Sequence, residues 1–70
     1  MRVEFIVTPS DDGTWVVRRG HTSPLEFTSH AAAMQAAENL AQAATRGGDR
    51  AFVTLMMGDE IVEQLAFQPG

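Results

Sequence analysis

The sequence predicts an α+β domain of order β-β-α-β-β, with an antiparallel sheet and one helix packed on one of its faces. Three observations carry that prediction. Apolar residues alternate with a period of two over residues 2–8, 14–19, 51–57 and 61–67, the mark of strands with one buried face. Between the second and third of these the period changes to about 3.6, over residues 29–46, as in an amphipathic helix. Turn formers separate the strands in pairs, at Pro9-Ser10-Asp11-Asp12-Gly13 and at Gly58-Asp59, so the strands read as two hairpins joined by the helix.

In the first strand Val3, Phe5 and Val7 alternate with Arg2, Glu4 and Thr8, and Ile6 makes the second face partly apolar. The acidic, glycine-containing segment that follows reverses the chain, because proline fixes φ, aspartate bonds its own backbone and glycine supplies a positive φ. Residues 14–19 then place Trp15 and Val17 on one face and Val16 and Arg18 on the other. Residues 20–24 form a loop, and Leu25-Glu26-Phe27 reads either as a short strand or as an extended approach to the helix.

The helix has Ala33, Ala37, Leu40 and Ala44 on one stripe, flanked by Met34 and Ala41, with Gln35, Glu38, Asn39, Gln42 and Arg46 opposite. Small side chains on that stripe let the helix axis approach a sheet closely. Ser29 is placed to cap the first turn, and Gly47-Gly48 supplies the left-handed residue that ends it. In residues 51–57, Ala51, Val53, Leu55 and Met57 share one face, and Phe52, Thr54 and Met56 share the other. Glycine before aspartate at 58–59 suits a type II′ hairpin. In the last strand Ile61, Leu65 and Phe67 alternate with Val62, Gln64 and Ala66, and Glu63 interrupts the apolar face.

Seventy residues make one domain, 1–70, which buries only about 60% of the surface its unfolded chain exposes. There is no cysteine, so disulfides, thiolate metal sites and a cysteine nucleophile are excluded. The remaining routes to stability are a well-packed core or self-association, and because the second hides sheet edges and apolar area that a small domain leaves uncovered, a dimer is expected. A formal charge of −4 repels phosphate backbones and anionic headgroups, which disfavours nucleic acid as a partner. No apolar run reaches the roughly 20 residues of a membrane span, and the N-terminus runs into a strand pattern, so a cytoplasmic protein is expected.

The order of features resembles a family of small bacterial domains of unknown function. Val7-Thr8-Pro9, Gly13, Trp15-Val16-Val17, Phe27-Thr28-Ser29, Ala33-Met34, Ala36-Ala37, Leu40-Ala41, the Gly58-Asp59 turn and Phe67 carry the resemblance over nearly the whole chain. Two positions depart from its pattern. Ala32 stands where the family tends to complete a capping box with glutamate, and the last hairpin turns on Gly-Asp where the family often has Asp-Gly. The resemblance implies the architecture and assigns no catalytic residue. A looser likeness, of topology only, is to antitoxin domains with a hairpin followed by a helix.

No residue constellation points to an enzyme, a metal or a cofactor. His21 and His30 are the only imidazoles, and no HxH or HExxH spacing puts two ligands on one face. The serines sit in turn and cap contexts, and Gly47-Gly48 follows a helix, the wrong end for cradling phosphate. Arg18 and Arg19 are candidate contacts for a phosphate or carboxylate, with Trp15 and Phe27 as stacking platforms. Strand alternation sends the two arginines to opposite faces, which argues against a single basic patch. Trp15 is expected in the core with Phe5, Leu40 and Phe67.

The sheet face away from the helix carries Ile6, Val16, Phe52, Met56 and Val62, more apolar area than a monomer comfortably exposes. Phe52, Met56 and Val62 are the candidate interface residues. The sequence thus points to a non-catalytic module that self-associates and binds a protein partner through this face or a sheet edge, with a nucleic-acid-associated regulatory domain as the alternative.

Overall fold

The computed structural model describes residues 2–20 and 23–69. Five strands and one helix follow in the order β1 (Arg2–Pro9), β2 (Trp15–Arg18), β3 (Leu25–Phe27), α1 (His30–Arg46), β4 (Arg50–Met57) and β5 (Glu60–Phe67). They form one sheet of order β3-β2-β1-β4-β5, with α1 packed across all five strands.

The fold is α+β, as the sequence predicts, but the sheet is mixed. β1 and β4 pair in parallel, from Arg2 beside Arg50 to Val7 beside Leu55, while the other three pairings are antiparallel. The reason is the number of chain reversals. Leu25–Phe27 is a true strand, antiparallel to β2, so it carries the chain back to the end of the sheet where β1 finishes. From there α1, about 25 Å long for its 17 residues, returns to the other end, and β4 must then run in the direction of β1. Without β3 the helix would run the opposite way and β4 would be antiparallel to β1.

Both turns follow the local chemistry. Ser10 N–H donates to Thr14 C=O at 2.8 Å and Gly13 N–H to Ser10 C=O at 3.2 Å, closing a three-residue hairpin loop with Gly13 at φ 87°. At the second hairpin Gly58 has φ 65° and Asp59 does not have a positive φ, which is the type II′ pattern.

The helix ends are closed as the sequence predicts. Ser29 Oγ accepts from Ala32 N–H at 3.1 Å. At the other end Gly48 N–H donates to Thr45 C=O and Asp49 N–H to Ala44 C=O, the two bonds of a Schellman motif, with Gly48 at φ 93°. A side chain with a Cβ would be strained there, so glycine is required by the backbone.

The core lies between α1 and the sheet. Val3, Phe5, Val7, Val17, Ala51, Val53 and Leu55 meet Ala33, Met34, Ala37 and Ala41, with Trp15, Phe27, Ala44, Leu65 and Phe67 partly buried around them. Two placements differ from expectation. Leu40 is 37% exposed at the helix rim, and Met34 and Ala41 take the central positions. Trp15 sits beside Phe27 and meets His30 edge to face at 4.9 Å, whereas Phe67 pairs with Ala51 at the diagonally opposite corner of the sheet.

β5 departs from simple alternation. Its register slips between Leu55 and Met56, so Glu63 faces Leu55, Ile61 faces Met56, and Val62 is left without a partner on β4. Ile61 is therefore on the face away from the helix, with Met56, and not with Leu65 and Phe67 as strict alternation implies.

Candidate binding surfaces of the sheet

No described element covers the sheet face opposite α1. The strand registers place Ile6, Val16, Phe52, Thr54, Met56 and Ile61 there, together with Arg2, Glu4, Thr8, Arg18, Gln64 and Ala66. This face divides into a polar half and an apolar half.

In the polar half, Thr54 is 2% exposed although it lies on the uncovered side. Its Oγ1 donates to Glu4 Oε2 at 3.0 Å and accepts from Gln64 Nε2 at 3.0 Å, so the buried hydroxyl is satisfied in both directions. Beside this group, the Arg2 guanidinium lies over the Phe52 ring at 4.4 Å. Phe52 is thus half-buried beneath a cation, which sequence alternation alone does not reveal.

In the apolar half, the β-bulge brings Ile61 next to Met56. Ile61 is 59% exposed and Val62 57%, and Met56 is half-buried between them and the middle of the sheet. Of the three candidate interface residues, Met56 and Val62 therefore belong to this corner and Phe52 to the polar half. Ile61 joins the corner as a residue that the bulge had hidden from sequence reading.

The arginines gather toward the other end of the sheet. Arg2 pairs with Arg50 at the start of β1 and β4, Arg46 ends the helix that leads into β4, and Arg18 and Arg19 close β2. Asp11, Asp12, Asp59 and Glu60 occupy the two hairpin turns at the opposite end. The parallel β1–β4 pairing is what makes this separation of charge, because it brings both arginine-bearing strand starts to one side.

Arg18 and Arg19 both line a shallow groove of about 360 Å³ with Arg2, Val3, Glu4, Ile6 and Gly20, but their side chains stay on opposite sides of the sheet: Arg18 stands beside Ile6 on the uncovered face, and the Arg19 guanidinium lies with Phe5 on the helix side. Arg19 lies over the Phe5 ring at 5.7 Å and also forms the wall of a second, apolar notch of about 260 Å³ with Phe5, Val17, Ser23, Leu25 and Leu40. The rings beneath guanidinium groups are Phe52, under Arg2, and Phe5, under Arg19, while Trp15 and Phe27 lie side by side at the other end of the sheet.

His30 is exposed in the first turn of α1, and His21 lies outside the described residues. Among the described residues no three His, Asp or Glu side chains gather as a metal-binding group, and no helix is long and apolar enough to cross a membrane. Asp12 Oδ1 accepts from Thr14 N–H at 3.1 Å and from Thr14 Oγ1 at 2.6 Å. These bonds hold its carboxyl below its ordinary pKa, the Thr14 hydroxyl contributing most. That arrangement closes a turn and carries no reactive group.

Residues 5–51 match the family described as "Uncharacterized protein conserved in bacteria (DUF2188)". The chain belongs to this family. The match runs from Phe5 through the first hairpin and α1 to Ala51, so Arg18 and Arg19 lie within the DUF2188 span, and Arg2 and the Met56–Ile61–Val62 corner lie beyond it. No curated protein and no solved structure matches the chain.

Proposed function

We propose that this DUF2188 member is a non-catalytic, protein-binding module that self-associates through the uncovered face of its sheet. The observation that carries the reading is the corner formed by Met56, Ile61 and Val62, two of whose side chains are more than half exposed. Isolated apolar residues are ordinary on a surface, but adjacent ones at the corner of a face that also carries Ile6 and Val16 favour a partner.

A second copy is the occupant that the dimensions suit. Three strands of eight residues with the shorter β2 and β3, at about 3.3 Å rise and about 4.8 Å spacing, project roughly 500 Å² of flat face, and side-chain relief raises the accessible area toward the ~800 Å² per partner of a standard interface. Pairing through the β5 edge is less favourable, because Glu60 and Glu63 on that strand discourage edge-to-edge contact.

Sedimentation equilibrium of the purified chain tests this. A dimer is expected at micromolar concentration, shifting to monomer in Val62→Glu and Met56→Glu, with Val62→Glu the cleaner change because its side chain is exposed. A strict monomer at high micromolar concentration would remove the reading.

A further inference from the structure

We infer that the edge of β1 from Arg2 to Phe5, which no described strand pairs on the β2 side, is a docking site for an extended, carboxylate-bearing segment of a protein partner, which adds to the sheet as a short strand in line with β2. The site lies at the arginine end of the uncovered face, away from the Met56–Ile61–Val62 corner, and rests on the β1 edge and not on self-association.

The first observation is an incomplete ladder. β4 pairs with β1 all the way to Arg2 beside Arg50, but the β2 register ends at Ile6 beside Arg18. Four residues of β1 are therefore bonded on one edge and not paired with β2 on the other. The bond from Ser10 N–H to Thr14 C=O fixes the phase of that edge. Every second residue back from Ser10, hence Glu4 and Arg2, points its N–H and C=O toward the line that β2 has left. Gly20, at φ 51°, departs from the extended conformation of β2.

The second observation is the shape and charge of the space beside this edge. It is the groove of about 360 Å³, within the range of small binding sites, and Arg2 and Arg18 line it from the uncovered face. Glu4, the carboxylate in its wall, already accepts from Thr54 and Gln64 on the β4 side. The stacking of Arg2 on Phe52 orients that group in advance, since a guanidinium resting on a ring keeps its N–H edge directed outward for a carboxylate. Bidentate pairing with a carboxylate then adds direction as well as charge.

The net charge of −4 does not oppose this. The molecule is 37 Å long and the Debye length is about 8 Å at physiological ionic strength, so the acidic hairpin turns are screened from a ligand at the arginine end. A nucleic acid would meet the same guanidinium groups, but it has no alternating N–H and C=O to complete the ladder at Arg2 and Glu4. A peptide has both. Alternation also fits the two sides of the edge: carboxylates at every second position would face Arg2 and Arg18, and β-branched residues between them would face the side of Val3 and Phe5.

The probe is an acetylated, amidated peptide of alternating Glu and Val, titrated into the full chain by calorimetry and by amide NMR. A lysine–valine peptide and a single-stranded oligonucleotide serve as comparisons. The acidic peptide is expected to bind with an affinity that falls as salt rises, to protect the Arg2 and Glu4 amides from exchange, and to bind about tenfold more weakly to Arg18→Glu. Met56→Glu should bind it as the parent chain does, which separates this site from the apolar corner. Absence of binding at low salt, binding without amide protection, or tighter binding of the oligonucleotide would each overturn the inference.

Discussion

Thr54 Oγ1 donates to Glu4 Oε2 at 3.0 Å across 50 residues of sequence, and Gln64 Nε2 donates to the same hydroxyl at 3.0 Å. Three adjacent strands are thereby tied together on the face that the helix does not cover. Thr54→Val keeps the shape and removes the donor to Glu4 and the acceptor for Gln64. A loss of about 1 kcal/mol in urea denaturation is expected, the usual net value of such bonds. Equal or greater stability would show that the group does not hold the strands.

Ala37 is fully buried under α1, and its small side chain sets how close the helix lies to the sheet. Ala37→Leu should therefore destabilise by about 1–3 kcal/mol through overpacking, despite the added apolar area. Gln35→Leu, on the exposed side of the same helix, should change stability by no more than about 0.5 kcal/mol. Thermal or urea unfolding of the two variants distinguishes packing from hydrophobicity.

The two ends of α1 make a separate test. Ser29→Ala removes the side-chain cap on Ala32 and should cost about 1 kcal/mol. Gly48→Ala places a Cβ in the left-handed region and should cost about 1–2 kcal/mol. The sites are at opposite ends of the helix and share no partner, so the double variant should show close to the sum in denaturant unfolding.

Asp12 predicts a pH effect with a definite sign. Its folded pKa is lowered by the bonds from Thr14, so the ionised carboxylate stabilises the turn at any pH above its unfolded value of about 3.9. That stabilisation disappears as pH falls through the lower folded value. Asp12→Ala should be less stable than the parent chain above about pH 4 and should show a shallower acid limb in a plot of stability against pH, the two chains converging in strongly acidic conditions. An unchanged limb would show that the Thr14 bonds do not favour the ionised form.

The readable parts of the molecule were those in which neighbouring residues decide the outcome. The alternation of Val3, Phe5 and Val7, the cap at Ser29, the left-handed Gly48 and the Gly58-Asp59 turn all depend on short-range geometry, and each takes the form its residues require. Ile61 was misplaced because one unpaired residue, Val62, resets the alternation, and a bulge depends on the partner strand. Alternation does place Arg18 and Arg19 on opposite sides, with Ile6 and Phe5 respectively, but the groove that Arg18 lines with Arg2 and Glu4 was hidden, because it depends on the long-range pairing of β1 with β2.

The sequence by itself determined two hairpins, one small-faced helix, an unstapled core and membership in a bacterial family, since local periodicity, turn chemistry and residue types settle those. Tertiary structure alone decided that β4 runs parallel to β1. That choice rests on the three residues of β3, whose pairing with β2 is long-range and whose single extra reversal sets the direction of everything after it. From it follow the meeting of Arg2 with Arg50 and the concentration of arginine at one end.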